Sequence, residues 1–148
     1  MMKKLLFFGL VYATGLLSCN PSNTTTEERN LPSTEDLSGV QAVDSRGAKA
    51  LVDEAGEIIL LDVRTPEEFA EGHLEGAINI DFYAADFKQQ LAHLNPNQKY
   101  MVYCAVGGRS GKTGQMMEEM GFREVYNVTE GFAALSSKGI PVTEGHKE

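Results

Sequence analysis

The chain has 148 residues, 42% of them hydrophobic and 23% charged, a balance that excludes a disordered chain and fits one soluble folded domain. Its length excludes two ordinary domains but is enough for one well-buried core. A formal net charge of −8 argues against nucleic acid, or an anionic membrane surface, as a partner.

In chain order, Met1 to Leu17 opens with Lys3 and Lys4 and continues as an apolar run from Leu5 to Leu17. That run is too short to span a bilayer comfortably and suits the core of a secretory signal. Leu16-Leu17-Ser18-Cys19 resembles the lipobox of bacterial lipoproteins. The resemblance implies that residues 1–18 are a signal peptide, that Cys19 is lipidated, and that the protein is membrane-anchored in the bacterial cell envelope, facing the periplasm or the cell surface. One lipid chain binds a membrane only marginally, so stable anchoring would need the further acylation this class receives. Removing residues 1–18 takes away two lysines and no acidic residue, so the net charge of −8 becomes −10.

Residues 19–36 are rich in Ser, Thr, Asn and Pro, bury no core and read as a flexible tether. Residues 37–143 form the domain and 144–148 a tail. Val40 to Val43 predicts a strand, and Asp44 to Glu54 a helix with Ala48, Leu51 and Val52 at helical spacing, stopped at Gly56. Ile58 to Val63 is a nearly continuous apolar run, as expected of a parallel strand covered on both faces. Thr65-Pro66-Glu67-Glu68 is a helix start with Thr65 as cap, Pro66 in the first turn and Glu68 completing a capping box; Gly72 ends that helix. Ala77 to Ile80 predicts a short strand, and Phe82 to Leu94 a helix presenting Phe87, Leu91 and Leu94. Tyr100 to Tyr103 predicts a strand running into a loop at Cys104. A helix from Arg109 or Ser110 to Met120 packs on Met116, Met117 and Met120 and stops at Gly121. Val125 to Val128 is the last long strand, and a helix from about Gly131 to Lys138 closes the domain. The alternation predicts an α/β fold with a mostly parallel sheet.

In such sheets, functional groups gather beyond the carboxyl ends of the strands. Cys104 lies there, as do Asp62 and Arg64. After Cys104 come Ala105, Val106, Gly107 and Gly108, then Arg109 and Ser110 at a helix mouth. Glycines let successive N–H groups converge into an anion-binding nest, and the helix start adds free donors. A helix terminus contributes about 0.3–1 kcal/mol, less than one pKa unit at about 1.4 kcal/mol. The loop amides and Arg109 are therefore expected to supply most of any thiol activation, since a neighbouring opposite charge is worth about 1–3 units. A cysteine packed as a small hydrophobe at a strand end would need none of this surrounding pattern. Of the two cysteines, lipidation of Cys19 leaves Cys104 alone, without a disulfide partner, in a compartment where an idle thiol invites oxidation.

Gly111-Lys112-Thr113 resembles the end of a nucleotide-binding P-loop, but the glycine that motif needs five positions earlier is Val106. His93 and His146 belong to no motif, and no metal site or other cofactor is supported.

Leu61-Asp62-Val63-Arg64-Thr65-Pro66-Glu67-Glu68-Phe69, followed by Gly72-His73-Leu74-Glu75-Gly76-Ala77-Ile78-Asn79, resembles the first signature of rhodanese-like domains. Val102-Tyr103-Cys104 through Arg109-Ser110 resembles their active-site loop, and Gly139-Ile140-Pro141-Val142 their end. The resemblance covers about Leu37 to Val142. It implies a rhodanese-like α/β fold, with helices on both faces of a mostly parallel central sheet, and a ping-pong sulfurtransferase. The catalytic Cys104 would take the outer sulfur of thiosulfate or a persulfide and pass it, as a persulfide, to a thiol or cyanide acceptor. Ala105, Val106, Gly107, Gly108, Arg109 and Ser110 would bind substrate, Arg109 holding an anionic donor. Asp62 and Arg64 would brace the loop base, and His73 would make a structural hydrogen bond. The implied partners are a small anionic sulfur donor, a thiol acceptor that is a small molecule or a protein, and the membrane through the lipid; a monomer is expected. Glu75 replaces a usual proline and Leu135 a frequent aromatic, both matters of packing.

Relatives that hydrolyse phosphate esters or reduce arsenate have one more residue between Cys and Arg, whereas four separate Cys104 from Arg109 here. That favours sulfur transfer over a phosphatase or arsenate reductase. A carrier or interaction module that keeps its persulfide for one docked partner needs the same nucleophile and stands as the alternative.

Overall fold

The computed structural model describes residues 39–54 and 57–145, so the proposed signal, Cys19, the tether, Gly56 and the end of the tail lie outside the described residues. The elements in chain order are β1 (Gly39–Val43), α1 (Ser45–Asp53), β2 (Ile58–Asp62), α2 (Pro66–Glu71), β3 (His73–Leu74), β4 (Ile78–Asn79), α3 (Phe87–Ala92), β5 (Lys99–Tyr103), α4 (Gly108–Glu119), β6 (Glu124–Val128), α5 (Phe132–Ser137) and β7 (Val142–Thr143). Five strands form one sheet in the order β1-β6-β5-β2-β4, every pair parallel.

Period-two side-chain alternation divides the core into two halves. Leu61, Tyr100, Val102 and Val125 face one side and pack with Phe87, Leu91, Met117 and Phe122. Leu60, Met101, Tyr103, Tyr126 and Val128 face the other and pack with Ala48, Leu135 and Ile140. Helices α3 and α4 thus cover one face, and α1 and α5 the opposite one. Met117 is fully buried, while Met116 and Met120 pack partly buried against the same cluster, as the helical spacing predicts.

The cap at Thr65 forms as expected. Its hydroxyl accepts from Glu68 N, the Glu68 carboxylate accepts from Thr65 N, and Pro66 begins the helix. Two elements differ from the sequence expectation. The helix expected over Phe82 to Leu94 is confined to Phe87–Ala92, because the Asp81 carboxylate takes the N–H of Tyr83 and backbone turns follow from Asp81 to Ala84 and from Ala84 to Phe87. A local side-chain hydrogen bond of that kind competes with the helical ladder. Phe82 still packs edge-on against Phe87. The second difference is a small antiparallel sheet, β3 with β7, that ties His73–Leu74 to Val142–Thr143. Two-residue strands carry no periodicity to read.

Strand order places the loops. From β2 the chain moves outward to β4, and from β5 it moves the opposite way to β6. The loops after β2 and β5 therefore diverge, opening a crevice at the carboxyl ends of the two central strands, the switch point where open α/β sheets bind ligands.

Candidate active site at the end of strand β5

Cys104 continues the alternation of Tyr100 and Val102, so its side chain lies on the α3/α4 face just past the strand, 1% exposed. Among the described residues it is the free cysteine. The chain then turns sharply. Gly107 has φ +87° and serves as the cap of α4, with its N–H donating to Cys104 Sγ at 3.1 Å. A Cβ at Gly107 would collide with the Thr129 carbonyl, so the position excludes every other residue on two counts. Gly108 has an ordinary φ and open space beside it, so the second glycine is not required by conformation.

Ser110 Oγ lies 3.6 Å from Sγ, and also 3.1 Å from the Gly107 carbonyl and 3.4 Å from that of Val128. Its one hydroxyl proton is thus shared among sulfur and two backbone acceptors. Burial pushes the Cys104 thiol up, but hydrogen bonds outweigh it: those from the Ser110 backbone and hydroxyl, then from the Val106 and Arg109 backbone. The thiol ends below its ordinary value. Arg109 contributes to this through its N–H.

The Arg109 guanidinium, expected to face the donor, is closed on Glu68. Its Nη1 and Nη2 donate to the two carboxylate oxygens at 2.7 and 2.8 Å. This pairing lowers Glu68 to about 2 and raises Arg109. Glu68 therefore both caps α2 and holds the arginine of α4. Tyr83 completes the surround, its ring centroid 5.6 Å from Arg109 Cζ.

Asp62 and Arg64 form a buried two-pronged pair. Arg64 Nε and Nη2 reach Asp62 Oδ2 at 2.9 and 2.7 Å, and Nη2 also donates to the Gly72 carbonyl at 2.6 Å. Asn79 Nδ2 donates to the carbonyls of both Asp62 and Arg64. The guanidinium stacks on Phe132, 4.1 Å from the ring centroid, and Phe132 N donates to the Cys104 carbonyl at 2.8 Å. The pair thus reaches the cysteine loop through Phe132. A buried pair broken on one side costs about 3–5 kcal/mol, because the other charge is stranded. His73 Nδ1 bonds the Phe69 carbonyl at 2.9 Å and its ring stacks on Phe69.

Three contributors escaped sequence reasoning. Glu68 was read only as a cap. Gly131 was read only as a helix start, yet it has φ +79° and a Cβ there would strike the Ala105 carbonyl, so the turn after β6 backs the cysteine loop. Tyr83 falls inside the helix expected over Phe82 to Leu94 and carries no role in the sequence reading. The Glu130-Gly131 pair before a helix is the one local signal available for the second of these.

The parallel sheet, the crevice and a cysteine held in a glycine-turned loop define a class: the chain belongs to the rhodanese-like family, whose domain model matches residues 45–138. It is 36% identical over 91 residues to thiosulfate sulfurtransferase 16, chloroplastic, of Arabidopsis thaliana, a match covering 55% of this chain and 76% of that protein. It is 38% identical over 87 residues to the thiosulfate sulfurtransferase PspE of Escherichia coli, covering 57% and 78%. Among solved structures, the crystal structure of a rhodanese-like domain protein from Staphylococcus aureus superposes with a TM-score of 0.58 at 29% identity, covering 64% of this chain and 90% of that one.

Two outcomes follow from the geometry. The rate of Cys104 alkylation by iodoacetamide should rise with pH through a midpoint below that of a free cysteine, and Ser110→Ala should move the midpoint up; an unmoved midpoint would show that the hydroxyl does not serve the sulfur. For Glu68, the folded value of about 2 lies under the ordinary 4.5, so between them the unfolded chain binds the proton that the folded chain refuses. The stability from the pair is complete above pH 4.5 and is lost as pH falls toward 2. Urea titrations should show Glu68→Gln losing that part of the pH dependence relative to wild type.

Proposed function

We propose that this chain is a sulfurtransferase that moves one sulfane sulfur through a persulfide on Cys104. The observation that carries the reading is the hydrogen-bonded sulfur: a buried cysteine whose Sγ receives the Gly107 N–H at 3.1 Å and whose thiol is held below its usual value. A nucleophile needs the thiolate, and a preorganised cradle of N–H dipoles stabilises the anion before and after attack.

In the first half-reaction the Cys104 thiolate attacks the outer sulfur of thiosulfate or a persulfide. The donor S–S bond breaks, its electron pair leaves with sulfite or with a thiolate, and Cys104 carries a terminal anionic sulfur. In the second, an acceptor thiolate or cyanide attacks that terminal sulfur and Cys104 leaves as thiolate. Ala105 through Ser110 line the cradle, with Asp62 and Arg64 holding its base through Phe132. Four residues between Cys104 and Arg109 support sulfur as cargo over phosphate or arsenate. Relatives carrying the name thiosulfate sulfurtransferase support the same chemistry. Membrane anchorage through lipid on Cys19, with residues 19–36 as tether to the domain, belongs to the same proposal and rests on Leu16-Leu17-Ser18-Cys19.

Intact-mass measurement of purified protein after thiosulfate or a small-molecule persulfide should show wild type gaining one sulfur, which cyanide removes, and Cys104→Ser gaining none. No gain by wild type from any donor would overturn the sulfurtransferase reading, and gain without release to any acceptor would favour a carrier. Separately, Cys19→Ala should shift the protein from the membrane to the soluble fraction of its host, and a variant still membrane-bound would overturn the anchor.

A further inference from the structure

We propose that Glu68 sets the donor preference of the Cys104 site, turning it from inorganic dianions such as thiosulfate toward persulfides that carry an organic group. The proposal rests on the sulfurtransferase reading above and narrows it.

An arginine five residues beyond the nucleophile would attract a dianion if its charge were free. Here both carboxylate oxygens of Glu68 close on the two terminal nitrogens of Arg109 at 2.7 and 2.8 Å. The arrangement is fixed from both sides, since Glu68 Oε2 also accepts the Thr65 N–H that caps α2. The Arg109 side chain is only 16% exposed, which leaves little room for a donor oxygen to displace the carboxylate. Neither neighbouring cation replaces the cancelled charge: Arg64 is paired with Asp62, and Lys112 is exposed to solvent.

What remains to hold an anion is the cysteine loop, whose Gly107 N–H meets Sγ at 3.1 Å and whose Ser110 hydroxyl lies 3.6 Å from it, a setting suited to one sulfur anion. Beyond it two large side chains with apolar surface stand exposed. Val106, at the tip of the loop, is 79% exposed, and Tyr83, against Arg109, is 68% exposed. Exposed apolar side chains of this size beside a nucleophile offer contact to a carbon skeleton and none to the sulfonate of thiosulfate. In the preferred half-reaction the Cys104 thiolate attacks the terminal sulfur of R–S–SH. The donor S–S bond breaks, the electron pair leaves with R–S, the donor's proton ends on R–SH, and the terminal sulfur remains on Cys104 as an anion.

The test compares kcat/KM for thiosulfate with that for glutathione persulfide, using the full-length purified protein and cyanide as the common acceptor. Glu68→Gln keeps an oxygen for the Thr65 cap and removes the charge opposing Arg109. It should raise the ratio of thiosulfate to persulfide kcat/KM by about tenfold, mainly through a lower KM for thiosulfate. Adding Arg109→Ala to that variant restores neutrality and should bring the ratio back near wild type. Were Glu68 only presenting Arg109 to the donor, Glu68→Gln would instead lower the ratio, which would overturn the proposal, as would an unchanged ratio. Wild type provides a check that needs no substitution. With Arg109 neutralised and the chain carrying −8 overall, thiosulfate kcat/KM should hold level or rise with added salt, and a steep fall would reveal a free cation and overturn the proposal. Failure of wild type to form a Cys104 persulfide from either donor would remove the sulfurtransferase reading itself, and this inference with it.

Discussion

A buried sulfur can carry negative charge only if enough N–H dipoles face it, and this requirement organises the carboxyl end of the sheet. Burial by itself pushes Cys104 toward the neutral thiol. The opposing hydrogen bonds come from a loop that must curl within a few residues and then start a helix. Gly107, in the left-handed region, makes the curl possible and donates its N–H to the sulfur at 3.1 Å. The chain around it is packed so closely that the turn after β6 has room for no side chain at Gly131. Strand order, the glycine turn and the start of α4 therefore act together on one atom.

Charge is handled differently at the base and at the rim of the site. At the base, Asp62 and Arg64 neutralise each other away from water, with the guanidinium stacked on Phe132, whose N–H holds the Cys104 carbonyl. Such a pair is a poor source of net stability but fixes one arrangement, because any other leaves a buried charge uncompensated. At the rim, Glu68 and Arg109 pair while still partly exposed. Neither guanidinium presents an open charge to the crevice, and the electrostatics of the sulfur are left to backbone N–H groups and the Ser110 hydroxyl.

Much of the fold was legible from the chain because its signals are local and periodic. The apolar run Ile58–Leu61, the capping box Thr65–Glu68 and the spacing of Phe87 with Leu91 each report their surroundings within one or two turns. The start of α3 was misjudged because hydrophobic spacing continues back through Phe82 while the Asp81 carboxylate diverts the backbone at Tyr83. The β3–β7 pair was not legible, since its partners are two residues each and about 70 positions apart in the chain.

For the site, Cys104, the glycine-turned loop of four residues before Arg109, and their place beyond a central strand were all readable from the chain, because each follows from near neighbours. Which charges are paired follows from the packing. Glu68 and Arg109 are 41 positions apart, and each has an adequate local explanation, one as a helix cap and the other as a helix-mouth cation. Folding of β2 beside β5 brings the loops that follow them to one crevice and spends both charges on each other. An ion pair between distant residues leaves no periodic trace, so it is written in the packing alone.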